Sequence, residues 1–192
     1  DKAHHALMAI PGRGVSKGAG NSVELFDEGL EYAFGDRWEE VGEALDRFIE
    51  AMPLALRSEP DARGRAVLCA HSIPSPLTMR HFDEDVLDRD LDWSDYIGPA
   101  GAAYLMTWGR GHTEAQVQSL AEHWGVTLFC LGHEHVDEGA RRWAGSLIQL
   151  NSDHERGAAL PIALDSVPDP AEALDLVIPI GRIIHHHGLG YS

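Results

Sequence analysis

The feature that most constrains the fold is an apolar run that ends in a pair of histidines. Residues 126–131 read VTLFCL, with apolar or β-branched side chains on both faces, which predicts a strand buried between two layers. Gly132 ends the run, and His133 and His135 follow in the sequence GHEH. Loops at strand ends often hold reactive side chains, so these histidines are candidate metal ligands. A motif this short also arises as ordinary loop histidines.

A second apolar run ends in the same way. Residues 65–70 read RAVLCA, and His71 follows them at the start of HSIPSP. Neutral imidazole is the commonest nitrogen ligand of metal ions, and loops from two strand ends can converge on one metal centre. Three histidines do not fill a two-metal site, so carboxylates and a bridging water would have to complete it.

The rest of the chain predicts helices and further strands. Apolar residues at helical spacing indicate two amphipathic helices within residues 22–52, broken near Gly35. Residues 113–125 have the pattern of a helix that starts at a threonine N-cap and ends at a glycine. Residues 141–151 and 157–164 are typical of strands, and we predict that they pair across the turn NSDHER. This order favours an α/β fold with mixed sheets.

Length, charge and cysteine content limit the classes of function. The 192 residues suffice for a single domain with a buried core, and we expect residues 181–192 to form a flexible tail. A net charge of −16 disfavours nucleic acid and anionic membranes as partners. No apolar stretch approaches the ~20 residues of a membrane span. We expect the two cysteines to be reduced thiols inside strands, which with no visible secretory signal is typical of a cytoplasmic protein.

In their order, these motifs resemble the C-terminal half of the calcineurin-like metallophosphoesterases, and within them the serine/threonine phosphatase branch. The family's motifs run DxH, GDxxDR, GNH followed by an acid, a lone histidine after a strand, and GHxH. The stretch CAHSIPSP is similar to the lone-histidine motif, LGHEHV to GHxH, and DLDWSDY to a Leu-x-Trp-Ser-Asp segment of the phosphatase branch. LIQLNSDHERGAALPIAL resembles the closing hairpin, so the resemblance covers residues 65–164.

The resemblance implies both a fold and a chemistry. The fold would be the C-terminal half of a calcineurin-like β-sandwich, with mixed sheets flanked by helices. The activity would be hydrolysis of phosphomonoesters by a water that two divalent ions, Mn, Fe or Zn, acidify and place in line with phosphorus. By this resemblance, His71 and His133 would bind the second metal and His135 the first.

The first half of the family pattern does not occur in this sequence. It contains neither DxH nor GDxxDR, and its opening residues DKAHHAL are similar to those that follow GNH, which makes Asp1 the acid of that motif. By resemblance, Asp1 would orient a proton-donating histidine, as carboxylates orient other imidazoles. We therefore expect the remaining ligands on an N-terminal half or a complementary N-terminal chain, and no turnover without it.

Two further residues are candidates for substrate binding. Arg110, in TWGRGH, offers the bidentate geometry that suits phosphoryl oxygens. A surface arginine before a helix explains Arg110 equally well. His154, in NSDHERG, is placed to line the substrate cleft, although the polarity of a hairpin turn also accounts for it.

The matched segments favour phosphorylated proteins, at phosphoserine or phosphothreonine, or a small phosphomonoester as the substrate. A dinucleotide polyphosphate, the substrate of a related branch, is the alternative. It would need apolar surfaces for its bases, which the motifs do not provide. A different class of function is a non-catalytic fragment that acts through protein interaction and whose histidines bind metal weakly.

Overall fold

The structure is a computed structural model that describes residues 22–96 and 100–181. For residues 22–27, 49–50 and 93 it describes the backbone but not the side chain. Most of the expected C-terminal tail lies outside the described residues.

The described chain alternates helices and short strands. The helices are α1 (Ser22–Phe34), α2 (Trp38–Glu50), α3 (Ala102–Trp108), α4 (Glu114–Trp124) and α5 (Pro170–Ala173). The strands are β1 (Ala55–Arg57), β2 (Val67–Ala70), β3 (Leu128–Leu131), β4 (Ala140–Trp143), β5 (Leu147–Leu150), β6 (Ala158–Ala159) and β7 (Ile178–Pro179). Short 3₁₀ turns lie at Gly35–Arg37, Pro76–His81, Glu84–Asp88, Trp93–Tyr96 and Leu174–Leu176.

One mixed sheet organises the fold. Its five strands lie in the order β1-β2-β3-β5-β4. The central strands β2, β3 and β5 are parallel, and β1 and β4 flank them in the antiparallel sense. Because parallel strands end at the same side of a sheet, the loops after β2, β3 and β5 leave from one edge, which we call the carboxyl edge. The strands β6 and β7 form a separate antiparallel pair.

The central strands are apolar on both faces because both faces are covered. On one face, Leu68 and Phe129 pack against Met106 of α3 and Leu120 of α4. The alternate residues, such as Val67, form the other face and pack against the segment that contains α5. All four residues of β3 are buried. The prediction of a strand in each histidine-terminated run is therefore confirmed.

The helix predicted between Thr113 and Gly125 is confirmed together with both of its ends. The Thr113 side chain accepts a hydrogen bond of 3.4 Å from the backbone N–H of Gln116. Gly125 ends the helix at φ 64°, a conformation that glycine adopts without a steric penalty. The helical pair predicted within residues 22–52 is also confirmed, with a 3₁₀ turn at Gly35–Arg37 between its members.

The hairpin predicted from residues 141–151 and 157–164 is wrong. Residues 141–151 instead contain most of β4 and all of β5, which pair with each other as a hairpin. A tight turn joins them, with Ala144 at φ 46° and Gly145 at φ 77°. In the second stretch the strand is limited to Ala158–Ala159, and it pairs with β7. A turn this tight leaves a run of strand-forming residues almost uninterrupted in the sequence, which is why the run resembles one strand.

The two cysteines occupy the same register position on neighbouring strands. Cys69 of β2 pairs with Cys130 of β3, and both are free thiols. The hydrogen bond with Cys130 lowers the pKa of the Cys69 thiol to about 7, against the opposing effect of burial. The same contact, and burial, raise the pKa of Cys130. The expectation that both cysteines lie inside strands is confirmed.

The prediction of an α/β fold with mixed sheets is confirmed at the level of a five-stranded mixed sheet with helices. None of the helices in the described part of the chain is both long enough and apolar enough to cross a membrane.

Candidate functional site

Three loops at the carboxyl edge carry the predicted histidines. His71 follows β2, His133 and His135 follow β3, and His154 lies in the loop after β5. The first two loops are joined by a hydrogen bond of 3.0 Å from the backbone N–H of Gly132 to the carbonyl of His71. The parallel arrangement of the central strands thus places these imidazoles at the same edge.

His71 and His133 point a ring nitrogen at each other. His71 Nε2 lies 2.7 Å from His133 Nδ1, and the ring centroids are 4.6 Å apart with the planes at 72°. Two nitrogens that bind one tetrahedral Zn²⁺ at about 2.0–2.1 Å are about 3.3 Å apart, so the two rings would have to separate slightly to become ligands of one cation. A hydrogen bond between a protonated and an unprotonated ring nitrogen has a similar length. Trp108 flanks the pair, with its ring centroid 6.3 Å from that of His133.

His135 contacts a different set of side chains. Its Nε2 lies 3.1 Å from Asp137 Oδ1, and its ring centroid lies 5.1 Å from that of His154. One ligand atom each from His135, Asp153 and His154 lie within 4.8 Å of one another. His135, Asp137 and His154 border an open cleft of about 700 Å³, which is also lined by Glu138. The donors could hold a second divalent ion if His154 were free to contribute.

The contacts of His154 favour a structural role in its turn. His154 Nε2 lies 3.0 Å from the carbonyl of Val136, to which it can donate only when it carries the proton. The backbone N–H of Arg156 donates to His154 Nδ1 at 3.1 Å. Both ring nitrogens are therefore engaged, and binding a cation would cost one of these hydrogen bonds. Both contacts fit the second explanation given for His154 from the sequence, that it is a polar residue of a turn.

Arg110 lies in a loop that is fastened to the segment after His71. The backbone N–H of Arg110 donates to Ser75 Oγ at 2.8 Å. On the other side of the arginine, Ser72 Oγ donates to the carbonyl of Gly109 at 2.7 Å. The serines of HSIPSP therefore fix the backbone on which Arg110 is carried.

The glycines on either side of Arg110 are required by this geometry. A Cβ added to Gly109 would lie 1.7 Å from the carbonyl oxygen of Ile73, so only glycine allows the two segments to approach so closely. Gly111 adopts φ 67°, a backbone conformation that residues other than glycine rarely adopt. Arg110 itself is exposed, and among the described residues its guanidinium has no hydrogen-bond or ion-pair partner. The backbone at Arg110 is thus held in place, while its guanidinium is available to bind an anion.

A serine, a histidine and a glutamate near this loop do not form a nucleophilic triad. Ser72 Oγ and Glu134 Oε1 both approach the same nitrogen, His112 Nε2, at 3.4 and 3.9 Å. A relay would need them at opposite ring nitrogens. Ser72 is also buried and donates its hydroxyl proton to a backbone carbonyl. Burial lowers the pKa of His112, and the nearby Glu134 does not offset this, so the imidazole is neutral at pH 7.

Three acidic residues near the histidines were missed from the sequence: Asp137, Glu134 and Asp153. Asp137 contacts His135, and Asp153 lies in the cluster with His135. Glu134 stands inside the GHEH motif, and its position between two histidines was the available signal. For the two aspartates, the sequence gives no signal beyond loop polarity, because their neighbours come from the fold.

The predicted site residues thus fall into two pairs and one separate loop. His71 lies with His133, and His135 lies with His154. Asp1 lies outside the described residues. The carboxyl edge is the structural element that the four described histidines share.

No protein-family model and no curated protein sequence matches this chain.

Proposed function

We propose that this chain supplies the histidine side of a metal-dependent phosphoesterase site on a calcineurin-like sandwich. The observation that carries the proposal is the convergence of His71 Nε2 and His133 Nδ1, 2.7 Å apart, at the ends of neighbouring parallel strands. Each histidine is placed by its own buried strand, which is the arrangement that a rigid metal site requires. The order of the motifs along the chain supports the same assignment.

The donor set suits borderline divalent ions such as Zn, Mn or Fe. His71 and His133 would hold one ion, and His135 would bind the other with oxygen ligands such as the carboxylate of Asp137. When two such ions are bound, they supply an acidified water and polarise the phosphoryl group. The remaining ligands would come from segments that the matched motifs do not include.

Arg110 would clamp the phosphoryl group. Its backbone is held on both sides of the residue, and its guanidinium has no partner among the described residues. A guanidinium with free donors binds two phosphoryl oxygens in a fork. The Arg110 cation would also reduce the electrostatic repulsion between a phosphoryl dianion and a protein of net charge −16.

A phosphomonoester is the substrate class that needs least from this site. One dianionic group requires the two ions and a clamp; the proposed histidines would hold part of the ions' ligand set, and Arg110 would be the clamp. Phosphoserine or phosphothreonine peptides, or a small phosphorylated metabolite, meet this requirement. The open cleft of about 700 Å³ beside His135 has room for a peptide side chain.

A dinucleotide polyphosphate is the second candidate, and a specific contact favours it. The half-buried ring of Trp108 lies beside His133, with 6.3 Å between the ring centroids. An aromatic ring next to a phosphate site can stack on a nucleobase. A base bound on this ring would bring its phosphates towards the histidines.

The deciding experiment compares substrates on the full-length, metal-loaded protein. We expect kcat/KM to be higher on phosphoserine or phosphothreonine peptides than on diadenosine tetraphosphate. A clear preference for the dinucleotide would replace the substrate class while leaving the metal ligands assigned. Absence of hydrolysis of either substrate, in protein with full metal occupancy, would contradict the phosphoesterase proposal and favour a role in protein interaction.

A further inference from the structure

Glu134 lies between two proposed metal ligands, yet its carboxylate bonds elsewhere. Its Oε1 accepts a hydrogen bond of 2.9 Å from the backbone N–H of Gly111. Its Oε2 accepts one of 3.2 Å from Nη2 of Arg141 on β4. The side chain is 19 % exposed, so water competes little for these contacts. A residue of the GHEH loop is thereby tied to the loop that carries Arg110.

Arg141, the partner of Glu134 on β4, is itself held by its neighbours. Arg141 Nε donates to Gln149, its register partner on β5, and Gln149 is buried. The Arg141 guanidinium also lies 5.1 Å from the ring centroid of Trp143, a distance that permits a cation–π contact. Held by two strands, Arg141 fixes the direction in which the Glu134 carboxylate points.

The loop at Gly109–Gly111 is therefore held by both histidine loops. Ser72 and Ser75, which follow His71, bind its first two residues. Glu134, which follows His133, binds its third. The serine contacts hold the loop to the segment after His71, and the Glu134 contact ties it directly to the GHEH segment.

We propose that Glu134 is a positioning residue that fixes the backbone at Arg110, and with it the region that the Arg110 guanidinium can reach, relative to His133 and His135. The inference rests on the proposed function, because it gives Arg110 the task of binding the phosphoryl group. Glu134 is not assigned to a metal, since both of its oxygens already accept hydrogen bonds from the protein. It acts through the backbone of Gly111, one residue from Arg110.

The test uses the full-length, metal-loaded protein with Glu134→Ala, Glu134→Gln, Arg110→Ala and the double variant Glu134→Ala/Arg110→Ala. The matched control is Glu122→Ala, which removes an exposed acid of α4 that bonds only Gln118 among the described residues. The readouts are the dissociation constant of inorganic phosphate by calorimetry, KM and kcat on a phosphomonoester, metal content, and amide hydrogen exchange at Gly111.

We expect Glu134→Ala to weaken phosphate binding and raise KM on the order of tenfold, the effect of one hydrogen bond to a charged group. We expect kcat and metal content to change much less, and Gly111 exchange to accelerate. The double variant should bind phosphate no more weakly than Arg110→Ala. Glu134→Gln keeps an acceptor for Gly111, so it should recover most of the affinity and should fold if the alanine variant does not.

The outcomes of this experiment distinguish failure of the positioning role of Glu134 from failure of the proposed function. If Arg110→Ala weakens phosphate binding and Glu134→Ala does not, or if their effects add in the double variant, the positioning role is wrong and the proposed function stands. Loss of metal from Glu134→Ala and Glu134→Gln would assign Glu134 to the ligands instead. If the unmodified protein, loaded with metal, binds no phosphate, the proposed function fails, and the positioning role fails with it.

Discussion

Arg89 donates two hydrogen bonds to the carboxylate of Asp95, of 2.8 Å from Nη1 and 2.7 Å from Nη2. The Asp95 side chain is only 6 % exposed, and it also accepts the backbone N–H of Asp92 at 2.9 Å. Asp95 belongs to the stretch DLDWSDY, which supported the resemblance to the phosphatase branch. In this structure it fastens a turn to the protein, so at this position the motif serves the fold.

Removing the Asp95 charge should lower stability in a pH-dependent way. The hydrogen bonds from Arg89 hold the pKa of Asp95 below its usual value. A carboxylate with a depressed folded-state pKa stabilises the fold above its unfolded pKa of about 3.9, and that contribution is lost as pH falls through the folded-state value. We expect Asp95→Asn to reduce the free energy of unfolding at pH 7 by about 1–3 kcal/mol.

The measurement is urea unfolding between pH 7 and pH 3. The difference between the Asp95→Asn variant and the unmodified protein should stay constant from pH 7 to about pH 5 and shrink below that pH. Asp46→Asn, at an exposed position of α2, is the matched control and should change little. A constant difference at every pH would show that packing, and not charge, explains the loss.

His133→Ala should sharply reduce the metal content of the full-length protein. Its Nδ1 and His71 Nε2 converge from separate strands, so removing one ligand leaves the other without its chelate partner. Metal content by mass spectrometry and hydrolysis of a phosphomonoester measure the effect. His123→Ala, on the exposed face of α4 beside Asp85, is the control. Full metal occupancy with normal turnover in His133→Ala would remove the histidine from the site.

Arg110→Lys should be a poor substitute although it keeps the positive charge. Lysine offers a point charge without the planar fork that binds two phosphoryl oxygens. We expect KM for a phosphomonoester to rise on the order of tenfold, with a smaller change in kcat. Arg37→Ala removes an exposed ion pair with Glu40 at the start of α2. This control variant should leave both KM and kcat unchanged. Equal KM values for the lysine variant and the unmodified protein would mean that the fork is not used.

Gly109→Ala should destabilise the protein, because the new Cβ would lie 1.7 Å from the carbonyl oxygen of Ile73. Forcing these two segments apart should cost about 1–3 kcal/mol of unfolding free energy. Gly42→Ala is the control in the opposite direction. Its Cβ would meet Leu30 Cδ1 at an ordinary 3.9 Å, inside helix α2, and alanine there should stabilise by about 0.5–1 kcal/mol. Thermal unfolding distinguishes the two, and an unchanged midpoint for Gly109→Ala would contradict the close approach.

The elements that the sequence predicts well are those whose signal is local. β3 could be predicted because a strand covered on both faces must be apolar throughout. The helix after Thr113 could be predicted because its cap and its terminal glycine lie within the segment itself. The histidines after β2 and β3 could be predicted as one group, because buried strands of this kind are usually parallel.

Features that depend on distant partners could not be predicted. The contact of Glu134 with Arg141 exists only because β4 brings the arginine beside it, and the tight turn at Gly145 that leads out of β4 gives little signal in the sequence. The pairing of His135 with His154 likewise depends on how the loop after β5 folds back. The division of the histidines into two pairs is therefore a property of the tertiary structure.

The placement of His71 and His133 directly after buried central strands affects how the site would respond to a cation. The last residues of β2 and β3 pair in register, and the backbone of Gly132 bonds the carbonyl of His71. Backbone in such a position opens only with the core, so the two imidazoles are preorganised. Little of the binding free energy would then be spent on ordering the chain, and affinity should depend mainly on the match between the ion and the donor atoms.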